Sequence, residues 1–122
     1  MKNNITLELL ERIYNNVELS FGTIPFKLRG IKISHELIKA TIEILNDETT
    51  KILPQNSRNA IKEKTPDGLD KRIKEVLNIN LRTANIISDV LCDAGIVEIV
   101  NVDNPKTGRK VKATRLLEKW YW

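Results

Sequence analysis

The sequence predicts an α+β, mostly helical fold that ends in a helix, a turn, a second helix and a β-hairpin. Apolar residues recur at helical spacing over much of the 122-residue chain. A β-branched run at residues 96–102 follows the last of these helices. A cluster of turn-forming residues at 103–108 then precedes an alternating segment. This length suits one domain, or a small domain with an extension.

In the first part of the chain, two amphipathic helices are predicted around an irregular segment. The first covers residues 5–17, where four apolar residues follow i, i+3, i+4, i+7 spacing: Leu10, Ile13, Tyr14 and Val17. Residues 20–33 predict extended chain with at most one edge strand, because Pro25 has no N–H to donate. Ser34 is a suitable N-cap for a second helix that ends near Asn46.

The middle of the chain predicts a loop and then further helices. Residues 47–57 are polar and contain Pro54, which indicates a loop, and a short helix is expected over residues 58–64. Thr65-Pro66 is typical of a helix start. Apolar residues at i, i+4, i+7, i+8 continue that helix: Leu69, Ile73, Val76 and Leu77. We therefore divide the chain into an N-terminal helical extension, 1–64, packed on the core, and a second unit, 65–122.

The second unit predicts two helices joined by a three-residue turn. Residues 78–80 form the turn, and residues 81–94 form a helix that Gly95 ends. The inner face of this helix is expected to hold four apolar residues: Leu81, Ala84, Ile87 and Leu91. Strands are then predicted over 96–102 and 109–116, where Val111 and Ala113 alternate with polar residues.

These last elements resemble the winged helix-turn-helix DNA-binding superfamily over residues 69–117. Leu91-Cys92-Asp93-Ala94-Gly95-Ile96-Val97 is similar to the passage from recognition helix to wing in that superfamily. Asn104-Pro105-Lys106-Thr107-Gly108-Arg109-Lys110 resembles a wing tip. The resemblance implies that the second helix of the pair enters the major groove and that the hairpin contacts the DNA backbone.

The resemblance also implies which residues meet DNA. On the recognition helix they are Asn80, Arg82, Thr83 and Asn85. On the wing they are Lys106, Thr107, Arg109, Lys110 and Lys112. Arginine can pair with guanine and asparagine with adenine, and basic wing residues suit phosphates. Asp89 would repel the DNA backbone, so contact is expected only over the first two turns of the helix.

The distribution of charge and the absence of catalytic motifs in the sequence favour a DNA-binding protein over an enzyme. The net charge of +4 is unremarkable, but residues 104–119 hold six basic residues against Glu118 alone. The sequence has no P-loop and no nucleophile with a matching base, so we expect neither an enzyme nor a cofactor. His35 has no partner ligand for a metal, and the lone Cys92 is expected to be a partly buried apolar residue. Without a secretory signal or an apolar run of about 20 residues, the chain is expected to be cytoplasmic.

We therefore predict that the protein binds double-stranded DNA in a sequence-specific way and is a prokaryotic transcriptional regulator. The aromatic end, residues 120–122, is expected to be buried on the N-terminal helices of its own chain or of a second copy. A homodimer through the first helix and the C-terminus is expected, with half-sites about 34 Å apart. A winged-helix module for protein–protein contacts is one alternative, with the aromatic end or residues 20–33 as its contact surface. Another is a recognition domain of a DNA-processing enzyme such as a restriction endonuclease, which the start at Met1 disfavours.

Overall fold

The computed structural model describes residues 5–55, 68–103 and 108–122. These residues form an α+β fold with four α-helices and two small antiparallel sheets. In chain order, the elements are α1 (Leu7–Phe21), β1 (Phe26–Leu28), β2 (Ile31–Ile33), α2 (His35–Asp47), β3 (Ile52–Pro54), α3 (Leu69–Leu77), α4 (Ala84–Asp93), β4 (Val97–Asp103), β5 (Lys110–Leu116) and a final 3-10 helix (Glu118–Trp120).

Hydroxyl side chains cap the first two helices. Thr6 Oγ1 accepts a hydrogen bond from the Leu9 backbone N–H at 3.2 Å, and Ser34 Oγ accepts one from Leu37 at 3.1 Å. The predicted start of α2 at Ser34 is therefore confirmed. Tyr14 joins the two helices, because its hydroxyl donates to the His35 carbonyl at 3.2 Å. Burial raises the pKa of Tyr14, and the negative charges of nearby glutamates add to this effect.

The segment between α1 and α2 is a two-stranded hairpin, where only one irregular extended segment was predicted. α1 runs on to Phe21, and β1 then pairs with β2 in antiparallel register. The two-residue turn holds Arg29 at φ 51° and Gly30 at φ 80°. Positive φ at both central positions is typical of a type I′ turn, whose twist matches that of the paired strands.

The second sheet has the strand order β3–β5–β4. β3 lies in the segment that was predicted to be only a loop, so this prediction is wrong. Leu53 is paired with Thr114, and Pro54 with Ala113. Proline is tolerated here because β3 is at the edge of the sheet and pairs on one side only. The predicted β4–β5 hairpin is confirmed, with Val97 opposite Leu116 and Asp103 opposite Lys110.

One hydrophobic core joins both halves of the chain. Its buried residues come from every described helix and from both sheets, and they extend from Ile5 to Trp120. Leu69 and Ile73 of α3 are fully buried as predicted, whereas Val76 is 61 % exposed. The predicted helix at 58–64 lies outside the described residues, as do Thr65 and Pro66 themselves. The helix that was predicted to start there begins only at Leu69, after an extended Gly68 at its N-cap, so the predicted start is wrong.

The aromatic C-terminus is held by its own chain. Trp120 is 2 % exposed, and its indole Nε1–H donates to the Gly95 carbonyl at 3.1 Å. The Arg12 guanidinium of α1 stacks over the Trp120 ring at 5.3 Å from its centroid. The Trp122 backbone N–H donates to the Asn46 side chain at 3.3 Å. The expected burial is confirmed for Trp120, and the N-terminal helices of the same chain take part in it. Tyr121 is 39 % exposed, so the prediction is wrong for this residue.

Ser88 of α4 and Thr114 of β5 share a hydrogen bond of 2.6 Å between two fully buried hydroxyls. Ser88→Ala leaves the Thr114 hydroxyl unpaired, and we expect a loss of about 1–3 kcal/mol in the free energy of unfolding. Thr114→Val should cost a similar amount for the same reason. The double variant should cost less than the sum of the single variants, since both polar partners are gone. Urea denaturation of the four proteins measures this coupling, and strictly additive losses would contradict it.

Candidate nucleic-acid interface

The start of α4 is the part of the molecule for which base recognition was predicted. α4 begins at Ala84, so residues 81–83 belong to the connection from α3 and not to the helix, contrary to the prediction. Thr83 occupies the N-cap position, and its carbonyl accepts from the Ile87 N–H at 2.8 Å. Leu81 is 60 % exposed because it precedes the helix, so its predicted place on the inner face is wrong. Ala84, Ile87 and Leu91 are buried as predicted.

A buried carboxylate positions this helix start. Asp70 of α3 is 6 % exposed, and its Oδ1 accepts from the Thr83 backbone N–H at 3.2 Å. Its Oδ2 lies 3.2 Å from the Lys74 ammonium group, one turn along the same helix. The Asp70 backbone N–H donates to the Gln55 carbonyl at 3.0 Å, and the Gln55 N–H donates to the Lys112 carbonyl of β5 at 3.0 Å. Backbone and side-chain bonds therefore connect β5, α3 and the first turn of α4.

Two of the predicted contact residues lie together on the surface at the α4 start. Arg82 and Asn85 are both exposed, and Asn80 is exposed in the connection that precedes them. Thr83 is only 2 % exposed, so it does not point outward as predicted. Its N–H is bonded to Asp70, and its Oγ1 is buried without a hydrogen-bond partner.

Asp89 lies one turn beyond Asn85, on the same side of α4. Its Oδ2 is 2.9 Å from a guanidinium nitrogen of Arg29, in the turn between β1 and β2. Both side chains are substantially exposed, at 37 % for Asp89 and 61 % for Arg29. The negative charge that was expected to repel DNA therefore has a positive partner, and this partner comes from the first half of the chain.

A pocket of about 250 Å³ opens beside these residues. It is lined by Arg29, Gln55, Asp70, Arg82, Asn85 and Ile86. Gln55 is 3 % exposed, and its Nε2 has no hydrogen-bond partner. The arginine and amide groups of the pocket can donate hydrogen bonds, and its one carboxylate can accept them. The pocket can therefore bind either a hydrogen-bond acceptor or a hydrogen-bond donor.

The β4–β5 hairpin carries the predicted wing residues. Arg109, Lys110 and Lys112 are exposed, whereas Lys106 and Thr107 lie outside the described residues. The Lys110 ammonium is 2.8 Å from a carboxylate oxygen of Asp103, the residue opposite it, and both side chains are 66 % exposed. Such an exposed pair contributes little to stability. Lys110 therefore remains accessible to a larger anion.

The basic residues of the β1–β2 hairpin were not among those predicted to contact DNA. Lys27 and Lys32 are exposed and lie directly opposite each other, and Arg29 is at the turn. The signal was present in the sequence: apolar and basic residues alternate on both sides of the Arg29-Gly30 pair. The prediction of at most one edge strand depended on Pro25, which precedes β1 and does not interrupt the hairpin.

Comparison of the chain with protein-family models, with curated proteins and with solved structures finds no match. Among the described residues, no helix combines the length and apolar character that a membrane span requires. Within the same part of the chain, no group of three or more His, Cys, Asp or Glu could hold a metal ion. Function must therefore be inferred from the geometry and chemistry of the surface itself.

Asp70→Ala tests whether this carboxylate holds the α4 start. We expect a loss of about 2–3 kcal/mol in the free energy of unfolding, because the Thr83 N–H and the Lys74 ammonium lose a buried partner. Glu75→Ala, an exposed acid on the same helix, should change it by no more than about 0.5 kcal/mol. Chemical denaturation measures both variants. Equal stabilities would show that Asp70 does not position the helix.

Proposed function

We propose that this chain is a winged-helix protein that binds double-stranded DNA in a sequence-specific way. The observation that carries the proposal is the exposed pair Arg82 and Asn85 at the start of α4. Arg82 lies just before the helix and Asn85 in its first turn, and a basic hairpin follows α4 directly. The order α3, α4, β4, β5 supports the resemblance to a helix-turn-helix with a wing. A fold of this kind also serves other purposes, so these side chains, and not the fold, carry the assignment.

The chemistry of the α4 start suits base edges in the major groove. Arg82 can donate two hydrogen bonds to O6 and N7 of guanine, and Asn85 can bond N6 and N7 of adenine. Each such pair contributes about 1–3 kcal/mol of discrimination. Asn80 can bond a phosphate or a base edge from the connection before the helix. Thr83 is excluded from this set because it is buried.

The contact with DNA should be confined to the first turns of α4. Asp89 and Asp93 carry negative charge farther along the helix, and the first of these has Arg29 as a partner in its ion pair. A helix that enters the groove by its N-terminal end keeps Asp93 away from the phosphates. The hairpin residues Arg109, Lys110 and Lys112 would then bind the flanking backbone.

We extend the proposal to a prokaryotic transcriptional regulator that acts in the cytoplasm as a homodimer. A dimer would present two α4 helices to half-sites about 34 Å apart. The exposed α1 residues Leu7 and Leu19, at 71 % and 86 %, are available for contacts with a second copy. Light scattering tests the homodimer. It would be contradicted if the protein had the mass of one chain at high concentration, and if its complex with DNA also held a single chain.

The double variant R82A/N85A tests base recognition. Wild-type protein should select a preferred site from a pool of random duplexes, and the variant should lose about 2–6 kcal/mol of preference for it over unrelated DNA. Binding to unrelated DNA should change much less. Fluorescence anisotropy with both duplexes gives the ratio of affinities, and an unchanged ratio would contradict base contacts by these residues.

The double variant K110A/K112A tests the wing. We expect weaker binding to every duplex alike, because phosphate contacts carry no sequence information. The slope of log K against log salt should become less steep by about 0.9 for each phosphate that the variant no longer neutralises. K39A, which removes an exposed charge from α2, serves as the control for net charge. Equal slopes for wild type and wing variant would place the wing away from DNA.

The same assays separate a regulator from a protein–protein module, and a further binding experiment separates it from a recognition domain of an enzyme. A module for protein–protein contacts would bind no duplex even at low salt. A recognition domain of a DNA-processing enzyme would bind DNA and depend on Arg82 and Asn85 in the same way. Binding of the isolated chain to the DNA next to its own gene favours the regulator, because small regulators act on nearby sites.

A further inference from the structure

The β1–β2 hairpin carries a local excess of positive charge. Residues 26–33 contain three basic residues and no acidic residue: Lys27, Arg29 and Lys32. The apolar residues of the two strands face the core, where Ile33 is fully buried and Phe26, Leu28 and Ile31 pack against its edge. The basic side chains therefore lie on the solvent face of this ribbon.

Lys27 and Lys32 repel each other in the protein without a bound anion. They are directly opposite each other in the antiparallel register, so both ammonium groups project from the same face. Like charges in opposite positions destabilise a two-stranded ribbon. Lys32 helps to lower the pKa of Glu36, after larger contributions from hydrogen bonds of the Glu36 backbone and of Ser34. Glu36 offsets part of the positive charge of Lys32, but Lys27 and Lys32 still lie opposite each other.

The turn residue Arg29 also departs from the local preference. It has a φ of 51°, in the left-handed region, where a type I′ turn favours asparagine, aspartate or glycine. Its guanidinium extends to Asp89 of α4 at 2.9 Å, and it lines the pocket together with Arg82 and Asn85. The tip of the ribbon therefore lies at the surface that the proposed function assigns to base recognition.

We propose that the β1–β2 ribbon is a second DNA-binding element, which holds the sugar–phosphate backbone beside the groove that α4 enters. Its phosphate ligands lie between the opposed Lys27 and Lys32, and Arg29 connects this contact to α4 by neutralising Asp89. A polyanion removes the repulsion between the two lysines, and DNA supplies regularly spaced phosphates beside the groove. The inference rests on the proposed function and assigns a role in it to the first half of the chain.

Charge variants of the ribbon test the proposal by their salt dependence. K27Q and K32Q should each weaken binding to a mixed-sequence duplex about five- to tenfold at 0.1 M salt, and each should reduce the salt slope by about 0.9. K39Q removes one exposed charge from α2 and should leave the slope unchanged. Far-ultraviolet circular dichroism and thermal melting show whether each variant is folded.

R29N separates a role in DNA binding from a role in the turn. Asparagine is favoured at this turn position, so the melting temperature should stay the same or rise. Binding to DNA should nevertheless weaken, because Asp89 regains its unpaired charge beside the phosphates. Unchanged affinity in this variant would contradict the part of the proposal in which Arg29 neutralises Asp89 at the DNA surface.

The outcomes distinguish this inference from the proposed function. If K27Q, K32Q and R29N bind with the wild-type affinity and slope while K110A/K112A binds weakly, the ribbon proposal is wrong and the proposed function stands. If the wild-type protein binds no duplex at low salt, both are wrong. A third outcome is that binding to anionic phospholipid vesicles depends on Lys27 and Lys32, whereas binding to duplex DNA does not depend on them. In that case the ribbon contacts a membrane and the proposal is overturned.

Discussion

Asp70 has an almost fully buried carboxylate that accepts a hydrogen bond from the backbone of Thr83 and pairs with Lys74. Its own backbone N–H is bonded to Gln55, which is bonded in turn to β5. A buried charge is tolerated only where such partners surround it, so the positions of these partners depend on one another. The orientation of the α4 start relative to the second sheet, and with it the exposure of Arg82 and Asn85, follows from this network.

The rest of α4 is held by apolar packing and one polar pair. Ile87 and Leu91 enter the core, and Ser88 is bonded to Thr114 on the central strand β5. Beyond the end of α4, the Gly95 carbonyl accepts the indole N–H of Trp120, which closes the core from the C-terminal side. The helix is therefore fixed along its whole length. A rigid helix suits a surface that must present side chains to a ligand in one geometry.

The two halves of the chain meet at the candidate interface as well as in the core. Residues 1–64 were predicted to be an extension with no role in DNA contact, yet the β1–β2 turn lies against α4 through Arg29 and Asp89. This contact changes the charge of the candidate recognition surface, since Asp89 by itself would oppose an approaching phosphate. Base contacts by α4 and backbone contacts by the ribbon would then be parts of one interface.

Local patterns in the sequence determined the helix α2 with its cap at Ser34, three of the four predicted inner residues of α4, the end of that helix before Gly95 and the β4–β5 hairpin. Each of these depends on periodicity or on a residue type with a known backbone preference. Tertiary structure decided the rest. β3 forms because β5 offers it an edge, Thr83 is buried because Asp70 accepts its N–H, and Arg29 reaches α4 because a hairpin carries it there. These contacts join residues far apart in the chain, and no local pattern specifies them.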